Sequence, residues 1–283
     1  MSNENFLDLS EERNKVGFRT VRERLLTGGG LDTNKDAIIR PDNNTVLGVV
    51  TRSHDVLPYA NIMDWMVNSF MDMNMPFDLK ESVLVGGGKS LYQEYVSPDF
   101  EIDSPDANGK ISPLVVVNAS YNGSYLHIHF GVYRWSSTSS TLTGNVIDSI
   151  TVRYKSSIFG SSISSEIKNR LDKFTEVSAV FRKLADESFE DYLWDTIKQK
   201  DLNFTFKKKM LLDLAAKGCV DIEKDSFVNA NLVEEDPKDI ITINGDMNAW
   251  EFYTNLMYIA THEMRSVSAR LSSYNGISKV FNV

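Results

Sequence analysis

The 283-residue chain weighs 32.0 kDa, carries 30 basic against 39 acidic side chains for a net charge of −9, and is 42% hydrophobic. Ordinary glycine and proline counts with 11% aromatics exclude a collagen, a coiled coil and a wholly disordered chain, and no apolar run approaches the ~20 residues of a membrane span. A single cysteine, Cys219, and an N-terminus (MSNENFLDLSEERNK) without the basic start and apolar core of a signal peptide point to a reducing, cytoplasmic compartment.

In chain order, Val16 to Leu26 reads as a short helix closed by the turn Gly28, Gly29 and Gly30. AIIRPDNNTVLGVV, residues 37–50, reads as two strands around an Asn-rich turn. A helix follows from Pro58 to Met71, with Ile62, Trp65, Met66 and Phe70 at helical spacing and Asn74 and Pro76 at its end. Residues 81–96 are strand-like and lead into an acidic connector containing Asp99, Glu101, Asp103 and Asp106. Then comes the strongest local signal, LVVVNAS and YLHIHFGVYRW around Asn122-Gly123, a pair that tolerates the positive φ of a type I′ hairpin turn. Apolar stripes predict helices over Glu166–Leu184, Phe189–Lys198, Phe206–Lys217 and about Met247–Leu271, the last capped by Asp246 or Asn244.

Strands first and helices second indicate an α+β fold: an antiparallel sheet built from hairpins of the N-terminal half, packed with helices mainly from the C-terminal half. Residues 1–36 are expected to form an N-terminal arm and helix, and residues 37–283 a single α+β domain.

The hairpin sorts its side chains by alternation. Val115, Val117, Ala119, Leu126, Ile128, Phe130 and Val132 form the core side, while Asn118, Ser120, Tyr125, His127, His129, Tyr133 and Trp135 face the other way. Residues 111–165 contain one acid, Asp148, where the chain's average would place about seven or eight, beside Arg134, Arg153 and Lys155. Aromatic rings on a mildly basic sheet are how many single-strand binders hold bases, although such a face often lies beneath a helix. The expected nucleic-acid contacts are Tyr125, His127, His129, Tyr133 and Trp135 for stacking, with Arg134, Arg153 and Lys155 for phosphates. Alternation points Arg134 to the apolar side.

Other patterns fail on spacing. VLVGGGKS ends like a phosphate loop but has Val83 where the first glycine belongs, and a strand-like LYQEYV follows. His262-Glu263 lacks the second histidine of a zinc protease, that position being Ser266. His127 and His129 share a strand face but no carboxylate cluster adjoins them in sequence, so no metal and no cofactor is expected. Cys219 reads as a small buried residue. Lys198, Lys200, Lys207, Lys208, Lys209 and Lys217, with Phe204 and Phe206 among them, form a basic stretch, usually a solvated helix face. Residues 221–251 hold nine acids and two bases, an acidic surface suited to a protein partner.

The segments LGVVTRSHDVLPYANIMDWM, GGGKSLYQEY, VNASYNGSYLHIHFGVYRW and NAWEFYTNLMYIATHEMRS, followed by Arg270 and Gly276, occur in an order that resembles an uncharacterised family of phage- and plasmid-encoded proteins. The resemblance covers roughly residues 37–276. Arg134 matches the family's hairpin arginine. Its histidine, cysteine and asparagine there are replaced, the turn being Ser120-Tyr121-Asn122-Gly123 and Arg134 being followed by Trp135 and Ser136. The late helix matches through Trp250, Tyr253, Asn255, Thr261 and His262. This implies a mobile-element protein in the host cytoplasm and supplies no activity. The expected function is a non-enzymatic, phage-encoded single-stranded DNA-binding protein serving replication, recombination or phage transcription. Its partners would be single-stranded nucleic acid and a phage or host polymerase, with no membrane. The alternative is an acidic interaction module that binds a polymerase without touching DNA.

Overall fold

In the computed structural model, which describes residues 9–106, 109–123, 125–144, 147–154, 161–222 and 240–283, the Asn-Gly turn joins the two longest strands of an antiparallel sheet. The fold is α+β, with strands dominating the N-terminal half and helices the C-terminal half. The chain divides into two compact units: residues up to 101 with 112–130 and 148–172, and residues 102–111, 131–147 and 173–283. Both hairpin strands, β7 (Lys110–Ser120) and β8 (Tyr125–Arg134), contribute residues to each unit.

The first unit opens with α1 (Ser10–Val16) and a three-stranded sheet of β1 (Val21–Leu26), β2 (Asp32–Arg40) and β3 (Thr45–Thr51). The helix expected from Val16 to Leu26 is therefore corrected. Val21 pairs with Ile39 and Glu23 with Ala37, so a long-range ladder overrides the weak local period. The boundary expected between residues 36 and 37 falls inside β2. The Asn-rich turn stands as expected, with Asn44 at φ 55° and Asn43 Oδ1 accepting from the Thr45 amide.

α2 (Tyr59–Asp72) buries Tyr59, Ile62, Met63, Met66 and Phe70. Phe70 stacks on Phe77 at 4.1 Å and meets Tyr95 edge-on at 5.3 Å, which ties the helix to β5. The sheet runs β10 (Ile150–Arg153), β8, β7, β5 (Ser90–Val96), β4 (Asp78–Val85), and α3 (Ser161–Leu171) completes the unit.

In the second unit β6 (Ile102–Asp103) pairs with the start of β7, and β9 (Ser139–Leu142) with the end of β8. Helices α4 (Phe174–Asp186), α5 (Phe189–Lys198), α6 (Phe204–Ala216), α7 (Ala249–Tyr258) and α8 (Val267–Phe281) follow, with the small ribbon β11 (Val220–Ile222) and β12 (Ile241–Ile243). α7 is buried almost all round, and Trp250, Tyr253, Phe181 and Phe281 meet with ring centres 4.8 to 5.6 Å apart.

Two expected helices are each divided. The stripe over Glu166–Leu184 belongs to α3 and α4, interrupted at Asp172 and Lys173. The stripe over Met247–Leu271 breaks at a π-turn, Ile259–Glu263, and resumes as α8. The cap of α7 is Asn248, not Asp246 or Asn244. Its side chain accepts from the Glu251 amide at 2.8 Å while Glu251 accepts from the Asn248 amide, a complete capping box.

Candidate functional site

On β8 the period of two separates a buried side from a wet one within the first unit. Leu126, Ile128 and Phe130 are buried, whereas Tyr125 is 46% exposed and His127 and His129 are half-buried. The rings form a ladder, with centres 6.4 Å apart from Tyr125 to His127 and 6.1 Å from His127 to His129, the last two nearly parallel at 14°. The neighbouring strand completes the face. Arg153 lies directly opposite Tyr125 and Thr151 opposite His127, both exposed. The Thr151 hydroxyl sits 3.2 Å from His127 Nδ1. Burial, reinforced by the nearby charge of His127, pulls the His129 pKa down to about 4, so this ring is neutral at physiological pH.

The β4–β5 turn is bonded to the end of the hairpin. Gly86, Gly87 and Gly88 take φ of 62°, 74° and 106°, a path open to glycine. The Lys89 carbonyl that follows accepts from Tyr59 Oη at 2.8 Å and from the Tyr121 amide at 3.1 Å, fixing the turn to the end of the hairpin. The Lys89 side chain is exposed. A strand follows the glycines, not a helix, so the phosphate-loop reading fails structurally as well.

Tyr133, Arg134 and Trp135 belong to the second unit, and there the expectation is corrected. Tyr133 is only 8% exposed and its ring meets Trp135 edge-on at 5.0 Å, so it packs instead of offering a face. Arg134 is bonded to Asp106 and 16% of its side chain is exposed. Burial pushes the Asp106 carboxyl up, but the Ser104 hydroxyl, Arg134 and Trp250 outweigh it and hold the group below its ordinary range. Lys155 lies outside the described residues, as does most of the acidic segment 221–251.

Elsewhere in the second unit, Phe206 is fully buried and Phe204 is 52% exposed at the start of α6. Cys219 is buried, which raises its thiol pKa. A cleft of about 560 Å³ lies between the N-terminal ends of α5 and α7, bordered by Asp186, Glu187, Glu190, Asp246 and Glu251. Among the described residues no cluster of three or more His, Cys, Asp or Glu side chains is placed to hold a metal, and no helix is long and apolar enough to cross a membrane.

No protein-family model, curated protein or solved structure matches this chain. The face of Tyr125, His127 and Arg153 is therefore read from its own chemistry.

Proposed function

We propose that this chain binds single-stranded nucleic acid through the outward face of β8 and β10. The observation that supports this best is the exposed Tyr125 ring with Arg153 directly across the ladder, in a stretch almost without acids. A base stacks on Tyr125, the half-open His127 ring extends the platform, and Arg153 meets a backbone phosphate. Only unpaired bases expose the π-face that this arrangement uses. A duplex offers phosphates alone, and a single described cation across the ladder cannot hold it without a stacked base. The resemblance to mobile-element proteins would place this activity in replication, recombination or transcription of a phage. Fluorescence anisotropy with a labelled single strand, its duplex and the matching RNA, at two salt concentrations, tests the proposal. Single strands should bind at least tenfold tighter than duplex, and equal affinity or no binding at low salt would refute it.

A second reading has its own support in the acidic cleft between α5 and α7, which suits a basic segment of a protein partner such as a polymerase. Binding of an oligolysine peptide that is lost in a combined Glu190→Gln, Asp246→Asn variant would favour it.

A further inference from the structure

We propose that His127 and His129 form a binding site for a single transition-metal ion of the Zn²⁺ or Ni²⁺ class. Two residues apart on β8, they rise from the same face, with ring centres 6.1 Å apart and planes 14° from parallel. Two imidazoles sharing one ion at about 2.1 Å place their ring centres roughly 5–6 Å apart, close to the spacing of this pair. The neighbouring strand supplies the orienting contact that histidine ligands use. The Thr151 hydroxyl lies 3.2 Å from His127 Nδ1, and when it accepts that N–H the lone pair sits on Nε2. Neither ring nitrogen of His129 is engaged by a hydrogen bond among the described residues, so both lone-pair positions are uncommitted.

Imidazole donors favour Zn²⁺, Ni²⁺ and Cu²⁺ over Mg²⁺ and Ca²⁺. Among the described residues no thiolate, carboxylate or third imidazole joins the pair, so water fills the remaining positions and the affinity is modest. The site stands on the histidine geometry and does not depend on nucleic-acid binding.

The test uses the full chain without an affinity tag, stripped of metal by chelation. ZnCl₂ is titrated in, with MgCl₂ as control, while calorimetry gives the stoichiometry and NMR follows the imidazole signals of all four histidines. One ion per chain is expected, with the His127 and His129 signals moving together, no response to Mg²⁺, and at least tenfold weaker binding in His127→Gln. The wild-type NMR titration keeps the proposal testable should a substitution at His129 fail to fold. Shifts at His54 or His262 instead, an unchanged affinity in His127→Gln, or no binding up to millimolar Zn²⁺ would overturn it.

Discussion

Thr138 holds φ at 50°, a left-handed backbone that a β-branched side chain adopts only under constraint. The constraint is visible: His262 Nε2 donates to the neighbouring Ser137 carbonyl at 3.0 Å, with the Thr138 hydroxyl 3.5 Å away. Thr138→Asn should relieve the strain and raise stability by about 1 kcal/mol, read as an upward shift in thermal midpoint with an unchanged fold. His129 carries a different cost. Its pKa is depressed from 6.5 to about 4, so the folded state binds fewer protons than the unfolded state between those values. Its contribution is fully present above pH 6.5 and is lost as the pH falls toward 4. In metal-free buffer, urea unfolding of the wild type should lose up to about 3 kcal/mol over that window, and His129→Asn should lose distinctly less.

At the scale of elements, the hairpin was legible because the β-rich runs around Asn122-Gly123 and their strict alternation are local chemistry, although neither residue takes the positive φ of the expected type I′ turn and the Gly123 amide donates to the Ser120 carbonyl at 3.2 Å. The same holds for the stripes of α5 and α6, although their caps Ser188 and Asn203 went unread and α6 begins at Phe204, two residues before the expected start. What stayed hidden was set by distant partners. The late helix breaks where Thr261 Oγ1 accepts from the Ser140 amide at 3.0 Å and donates to the Met257 carbonyl at 2.9 Å, a bridge from the π-turn to β9 across more than a hundred residues. The apolar spacing of Ile167, Leu171, Phe174, Val177 and Phe181 runs unbroken over the Asp172–Lys173 interruption, so periodicity had nothing to mark it. The serine-rich α8 held few strong helix formers and was read only to Leu271. Close approach also fixes Gly48 in β3, where an added Cβ would stand 2.9 Å from the Asn122 backbone. Gly48→Val should therefore push the hairpin turn away and destabilise the protein by roughly 1–3 kcal/mol in denaturant titration, more than Val49→Ala on the exposed side.

Across the whole molecule, charge was readable from composition, but its consequence for the site was not. The acid-poor window was plain, yet burial divides its rings. Tyr125 remains open, while Tyr133 packs against Trp135, and no one-dimensional pattern separates two tyrosines on the same side of a strand. With Arg153 as the described cation of this face, log affinity for a single strand should fall against log salt with a slope of about −0.7, as expected for one phosphate. A slope near zero would remove Arg153 from the site.

The sharpest comparison sets these two tyrosines against each other in oligonucleotide binding. Tyr125→Ala should weaken a labelled single strand roughly 5- to 100-fold, the worth of one stacked base, with the thermal midpoint unchanged. Tyr133→Ala should lower the thermal midpoint and leave affinity in the folded protein nearly intact. Full affinity in Tyr125→Ala, with the protein folded, would contradict the assignment of this face to nucleic acid.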